Sequence, residues 1–448
     1  MKLFSDLIIK FEHPNWARNP EFGLFDTILE QRPDLLDIIK SEVTRGTKKS
    51  VFGRKDVPSV EQILRAAIYK EIKGLDYREL EYHQVDSRIC AFFLKIDELR
   101  PYSFQMYQKY ISRISEDSLQ KLLVELNKIA INEGLEDIKK LRQDSTVIES
   151  NIHYPTNNSL VWDCIKTSHN LLEKLSAELP DFDYRNYIET AKKTYYKINN
   201  TQGKGKQEKI VNLFKKQLIT FRKTINNLSN AVKGASDCSM TALPIIIAIK
   251  QFIPICEKVF SQTERFQIKG EQVPNEEKVF SIYEPHTDII VKGSREVRFG
   301  HKVDFSGGAS NLILDCTILQ GNPSDTTLYQ SALKRIEENY RILPESTCTD
   351  GGYASKSNSE YAEKIGIKNI VFNKVVGSLK SIASSKNMET RLKKWRSGME
   401  AVISNLKRAF NLRRVNWKGF EHFKSKVLWS VIAYNIRVMT GQILAALR

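Results

Sequence analysis

Between residues 60 and 72 apolar side chains recur at Val60, Ile63, Leu64, Ala67, Ile68 and Ile72, a spacing of three and four that predicts an amphipathic helix ending at Lys73-Gly74. A shorter helix follows from about Asp76 with Tyr77, Leu80 and Tyr82. Two helices joined by a Gly-containing turn outline a helix-turn-helix, although any antiparallel helix pair has the same outline. Helical periodicity continues over 101–132, so residues 1–140 read as mostly helical. At Leu141 the pattern changes to LRQDSTVIESNI, where Ser145 to Ile148 favour an extended strand. The helical period returns over 160–266, broken near Leu179-Pro180 and across the polar residues 199–206. Strand character resumes over 296–305, turns at Gly307-Gly308 and continues over 312–319 as a hairpin. A turn over 321–325 precedes a helix over 326–340. Then come a short strand ending at Asp350, a Gly351-Gly352-Tyr353 loop, a helix from about Ser359 and an apolar strand over 369–373. A polar linker over 377–387 leads to two helices from about Ser397 and Phe420.

Strand, long insertion, hairpin, helix, strand, helix, strand, helix is the order found in the ribonuclease H-like fold. The expected class is therefore α/β, a mixed sheet with a ribonuclease H-like catalytic core. The expected domains are a helical, helix-turn-helix-like N-terminal domain over 1–140, the core over 141–159 and 286–448, and a helical insertion over 160–285. A length of 448 residues suits two to four such units.

Lys and Arg number 69 against 53 Asp and Glu, a net charge of +16. With 41% hydrophobic residues the chain can fill cores, so the charge is not that of a disordered basic tail. Such an excess points to an anionic polymer, because cations that neutralise phosphates release counterions. It is also local. Residues 386–426 hold twelve Lys or Arg against three Glu, interleaved with Trp395, Trp417, Phe420 and Phe423, and residues 192–223 hold ten against Glu208 alone. Six cysteines without a CxxC pair and seven histidines without HxxxH spacing indicate neither a zinc cluster nor a disulfide framework. Asp6, Lys10 and Glu12 interrupt any signal-peptide core, and the longest apolar run, 242–249, contains Pro244 and falls short of a bilayer span. A cytoplasmic protein without a membrane segment is expected.

Phosphodiester chemistry assisted by hard cations calls for carboxylates where strand ends converge. Asp144 stands in the first strand, and Asp350 ends a later one just before two glycines that permit close approach. Glu400 opens a helix whose apolar face is Met399, Val402, Ile403, Leu406, Ala409 and Phe410. At about 100° per residue, Arg396, Glu400 and Lys407 project from one edge of that helix. Asp163, Asp288, Asp304 and Asp315 compete, and spacing alone does not rank them below these three.

At these residues the sequence resembles bacterial insertion-sequence DDE transposases, most closely the group called ISNCY. The likeness is carried by LRQDSTVIESNI, by CTDGGYAS, and by RSGMEAVISNLKRAFNLRRVNWKG with its Arg-three-Glu-six-Lys pattern. EPHTDIIVKGSREVRFGHKV, GNPSD and the N-terminal LDYRELE also look like the family. Relatives often carry Tyr three residues before the Arg, where this chain has Lys393, so any role of that Tyr is not transferred. The resemblance implies Asp144, Asp350 and Glu400 as a metal-binding triad for two Mg2+ ions, with Mn2+ able to substitute. It implies double-stranded DNA as partner, both element ends and target, and a homodimer in the active complex. Lys393, Lys394, Arg396, Lys407, Arg408, Arg413 and Arg414 are the expected DNA contacts, joined by Tyr77 and Arg78 in the N-terminal helices. A DNA-binding regulator and another ribonuclease H-like nuclease are the alternatives.

Overall fold

The computed structural model describes residues 18–46, 57–97, 99–179, 182–201, 203, 205–234, 240–292, 296–375 and 379–446. The charged N-terminal stretch, Cys238 and residues 377–378 of the polar linker lie outside the described residues. The chain forms two compact units, Met1–Ser150 with Gly300–Arg448, and Asn151–Phe299.

The first unit begins with α1 (Pro20–Gln31), α2 (Leu35–Val43), α3 (Val60–Lys73), α4 (Tyr77–Asp86), α5 (Arg88–Leu94), α6 (Phe104–Ile111) and α7 (Glu116–Asn132), and then enters β1 (Lys140–Ser150). The α3–α4 pair has strong local signals. Ser59 and Asp76 each close a capping box, with Gln62 and Glu79, and Gly74 ends α3 at φ 70°, a left-handed conformation that favours glycine.

The second unit holds α8 (Asn157–Glu178), α9 (Ile188–Asn199), α10 (Gln207–Lys233), α11 (Leu243–Gln267), β2 (Asp288–Lys292) and the start of β3 (Glu296–Gly307). Helices α8, α10 and α11 enclose a core of its own that includes Cys164, Phe221, Leu228, Ile249 and Val259.

The chain then continues through β4 (Ile313–Ile318), α12 (Leu328–Tyr340), β5 (Ser346–Asp350), α13 (Lys356–Lys364), β6 (Asn369–Asn373), α14 (Lys386–Arg396), α15 (Gly398–Ala409), β7 (Arg414–Val415) and α16 (Phe420–Ala446). The seven-stranded mixed sheet has the order β2-β3-β1-β5-β6, with β4 also on β3 and β7 also on β1. Strand β1 is antiparallel to β3 and parallel to β5. The expected α/β class with a ribonuclease H-like core is thus what the chain forms.

Helix α16 was legible as a helix but not as the centre of a core. Every residue from Val427 to Ile436 is almost fully buried, against α1, α3, α7 and β4. Its buried Asn435 is satisfied by Ile313 and Asn127. By length and composition this helix alone among the described residues is apolar enough to cross a membrane, and its burial within the first unit accounts for that composition. Three further differences concern element limits. Residues 386 and 387 begin α14 rather than ending a linker, α13 starts at Lys356 rather than near Ser359, and β2 is a strand the pattern did not mark.

Candidate active site

Parallel pairing of β1 and β5 runs as far as Gln143 with Thr349. The next residues, Asp144 and Asp350, therefore stand side by side, and equal parity on neighbouring strands puts them on one face of the sheet. Asp350 owes its place to the glycine that follows. A Cβ on Gly351 would lie 2.5 Å from the carbonyl oxygen of Lys374 and 2.8 Å from that of Asn373, so no side chain fits where the loop passes the end of β6.

The third acid arrives on a broken helix. Arg396 ends α14, Ser397 forms the joint, and Gly398 starts α15 with Glu400 in its first turn. The expectation that Arg396, Glu400 and Lys407 lie on one helix is corrected in part: Arg396 closes the preceding helix, yet it keeps with Glu400 the i,i+4 pairing of a shared edge. The Arg396 guanidinium reaches all three acids. Nη2 lies 2.9 Å from Asp144 Oδ2 and 3.7 Å from Asp350 Oδ1, and Nη1 lies 3.1 Å from Glu400 Oε1. The Arg396 side chain is 4% exposed, whereas Asp144, Asp350 and Glu400 are 16%, 43% and 61% exposed. Three carboxylates compensate the buried guanidinium's charge through its two terminal nitrogens, while its buried Nε has no hydrogen-bond partner among the described residues.

Arg142 fixes the joint. It lies two residues before Asp144 on the same face of β1, with its guanidinium 5.0 Å from the centre of the Trp395 ring. Its Nη1 donates to the carbonyl of Trp395, and Nη2 donates to the carbonyl of Ser310 and to Asn311 Oδ1. A Cβ on Gly398 would collide with Arg142 Nη1, which explains glycine at the joint. Lys407, on α15, donates to Thr146 Oγ1 at 2.7 Å, two residues beyond Asp144 on β1.

The opposite face of β1 carries a polar layer that pattern reading did not single out as a group. Gln143 and Tyr353 both donate to Asp304, at 2.6 Å each. Burial raises the Asp304 carboxyl to about 7, opposed by those two donors and by Arg335 and reinforced by the Asp315 charge. Asp325, from the GNPSD turn, accepts from Ser145 Oγ and pairs with Lys302 at 2.5 Å, with its carboxylate against Gly352. Of the competing acids, Asp315 is bound by both arms of Arg335, and Asp163 pairs with His153 in the second unit, where Asp288 also lies.

The expected DNA contacts are dispersed. Lys394, Arg408 and Arg413 are exposed, Lys393 is paired with Glu389, and Arg414 is exposed but paired with Glu149. Arg396 is buried and committed to the acids. Tyr77 packs its ring 5.7 Å from that of Trp417, and Arg78, exposed at the start of α4, stacks on Phe104. Beside Arg78 the exposed positions of α4 include Glu79, Tyr82, Val85 and Asp86, a mixed rather than basic face.

Three carboxylates are hard oxygen donors of the kind Mg2+ and Mn2+ take, so the donor chemistry fits such ions. Among the described residues no three His, Cys, Asp or Glu side chains are grouped closely enough to hold an ion as they stand, since the acids meet through Arg396.

Residues 304–436 match the family model described as the transposase DDE domain. The match contains Asp350 and Glu400, while Asp144 lies upstream of the second unit. No curated protein and no solved structure matches the chain.

Proposed function

From the premise that the chain carries a transposase DDE domain, we propose that it is a DDE transposase of an insertion sequence, of the ISNCY type that its motifs resemble. It binds the terminal inverted repeats of its element, hydrolyses a strand at each end and joins the freed 3′-hydroxyl to target DNA. In this reading residues 1–140 bind the ends, 141–159 and 286–448 form the catalytic domain, and 160–285 are an insertion. Two element ends call for at least a homodimer in the active complex.

The observation that supports this reading most is the convergence of Asp144, Asp350 and Glu400, from two adjacent strands and a helix, on Arg396. These acids would hold two Mg2+ ions, or Mn2+, which when bound would supply Lewis-acid activation of a water or 3′-hydroxyl and stabilisation of the leaving oxygen. Arg396 neutralises the carboxylates and holds them at one site. Lys407, fixed on Thr146 beside Asp144, places a cation at the phosphate, and Lys393, Lys394, Arg408, Arg413 and Arg414 bind the flanking backbone. Both reactions are in-line displacements at phosphorus, so one set of residues serves both, with no covalent protein intermediate.

The test is product mapping. Purified protein with Mg2+, a duplex ending in the inverted repeat that flanks the gene, and a plasmid target should give a nick at the repeat boundary and a joined 3′ end. Cleavage of RNA–DNA hybrids with no preference for element ends would instead identify another nuclease of this fold. DNA binding without cleavage would identify a regulator.

A further inference from the structure

The second unit carries a basic surface that the proposed chemistry does not use. On α9 and α10 and the turn between them, Lys192, Lys193, Lys197, Lys206, Lys209, Lys215, Lys216 and Lys223 are all exposed. Among the described residues none of these eight lies within 4.0 Å of a carboxylate, whereas Arg222, on the same helix, is paired with Glu257 at 2.6 Å. The only acids on the two helices are Glu189 and Glu208. Lys209, Lys216 and Lys223 recur every seven residues, opposite the buried Phe214, Leu218, Phe221 and Ile225, and so form one stripe about 21 Å long at 1.5 Å per residue. Tyr196 on α9 and Ile219 on α10 are also exposed.

Clustering like charges opposes the compact state unless a polyanion covers them. We infer that the α9–α10 face of the second unit is a sequence-independent binding surface for the phosphate backbone of double-stranded DNA, additional to the contacts around the triad. A stripe of lysines at this spacing suits a duplex, whose charges repeat along a rigid axis, and lysine neutralises phosphate without reading bases. The inference rests on the transposase reading for the identity of the polyanion, but not for its charge.

The test uses the full chain and a quadruple variant, Lys193→Gln, Lys197→Gln, Lys209→Gln and Lys216→Gln, all at exposed helix positions where the fold is unaffected. Binding of a random-sequence 30-base-pair duplex is followed by fluorescence anisotropy from 50 to 250 mM salt, with circular dichroism as the control for folding. Each lost phosphate contact removes about 0.9 from the slope of log K against log salt. The expected result is a slope shallower by about 2 to 4 and binding at least tenfold weaker at 100 mM salt, with inverted-repeat preference and Mg2+-dependent nicking of a bound end retained. A variant slope equal to that of a wild type that binds duplex overturns the surface while leaving the transposase reading intact. Loss of binding to single-stranded RNA but not to duplex DNA also overturns it. A wild type that binds no nucleic acid overturns both.

Discussion

Removing the Arg396 guanidinium would leave three carboxylates facing one another across β1, β5 and α15. Arg396→Ala should therefore lower stability, by about 1–3 kcal/mol because Asp350 and Glu400 are partly solvated, in urea denaturation at neutral pH. No loss would mean that the acids do not depend on it. Gly351→Ala should cost a similar amount, since the new methyl meets two backbone carbonyls rather than side chains that can turn away. Asp304 behaves differently. Its folded-state value is raised to about 7, so the native state retains a proton that the unfolded chain releases near 4. Its contribution to stability is complete below pH 4 and is lost as pH rises from about 4 to about 7. Asp304→Asn should remove that dependence, and wild type and variant should diverge by on the order of 2–4 kcal/mol between pH 4.5 and 7.5. Parallel stability curves would show that Asp304 does not titrate there. At this scale the three acids were legible only as candidates at strand ends and a helix start, beside Asp163, Asp288, Asp304 and Asp315, and it was the resemblance that set them apart. Arg142 and Asp325 were not, since their work is to bind carbonyls and neighbouring side chains brought near only by folding.

At the scale of the element, the boundary between α14 and α15 lies at the site itself. Arg396 and Glu400 keep the i,i+4 pairing that one helix edge predicts, with Ser397 in helical conformation at the boundary, and Lys407 reaches Thr146. Helical periodicity runs through the joint without a proline or a polar run, and the cause of the break is tertiary: Arg142 takes the Trp395 carbonyl and occupies the space beside Gly398. Arg142→Met keeps much of the apolar stem but frees three acceptors. It should cost about 3–5 kcal/mol and lower any cleavage rate more than binding of DNA ends. Equal losses in both would assign Arg142 to general stability alone. The capped α3–α4 pair was legible for the opposite reason, because its Ser59, Gly74 and Asp76 signals are local.

For the whole molecule, Glu149 of β1 is the cross-strand partner of Gly300 of β3, so the chain leaves and re-enters the first unit at neighbouring points. Replacing residues 150–299 with a two-residue Asn-Gly turn should give a protein that unfolds cooperatively, with a Tm within roughly 10 °C of the parent. A non-cooperative transition would show that the first unit cannot stand alone. Hydrophobic pattern and element order sufficed for the α/β class, because strands and helices alternate clearly after Leu141. The central burial of α16 was hidden, since Lys424, Lys426, Ser430 and Asn435 interrupt its apolar run and find their partners only in the fold. The central question is whether the three converging acids carry the chemistry. The most direct measurement is Mg2+-dependent nicking of a duplex containing the element end by wild type, Asp144→Asn, Asp350→Asn and Glu400→Gln, each verified as folded. If they do, wild type nicks and every variant loses at least about 100-fold with end binding retained, whereas nicking at the wild-type rate by any one variant removes that acid from the chemistry.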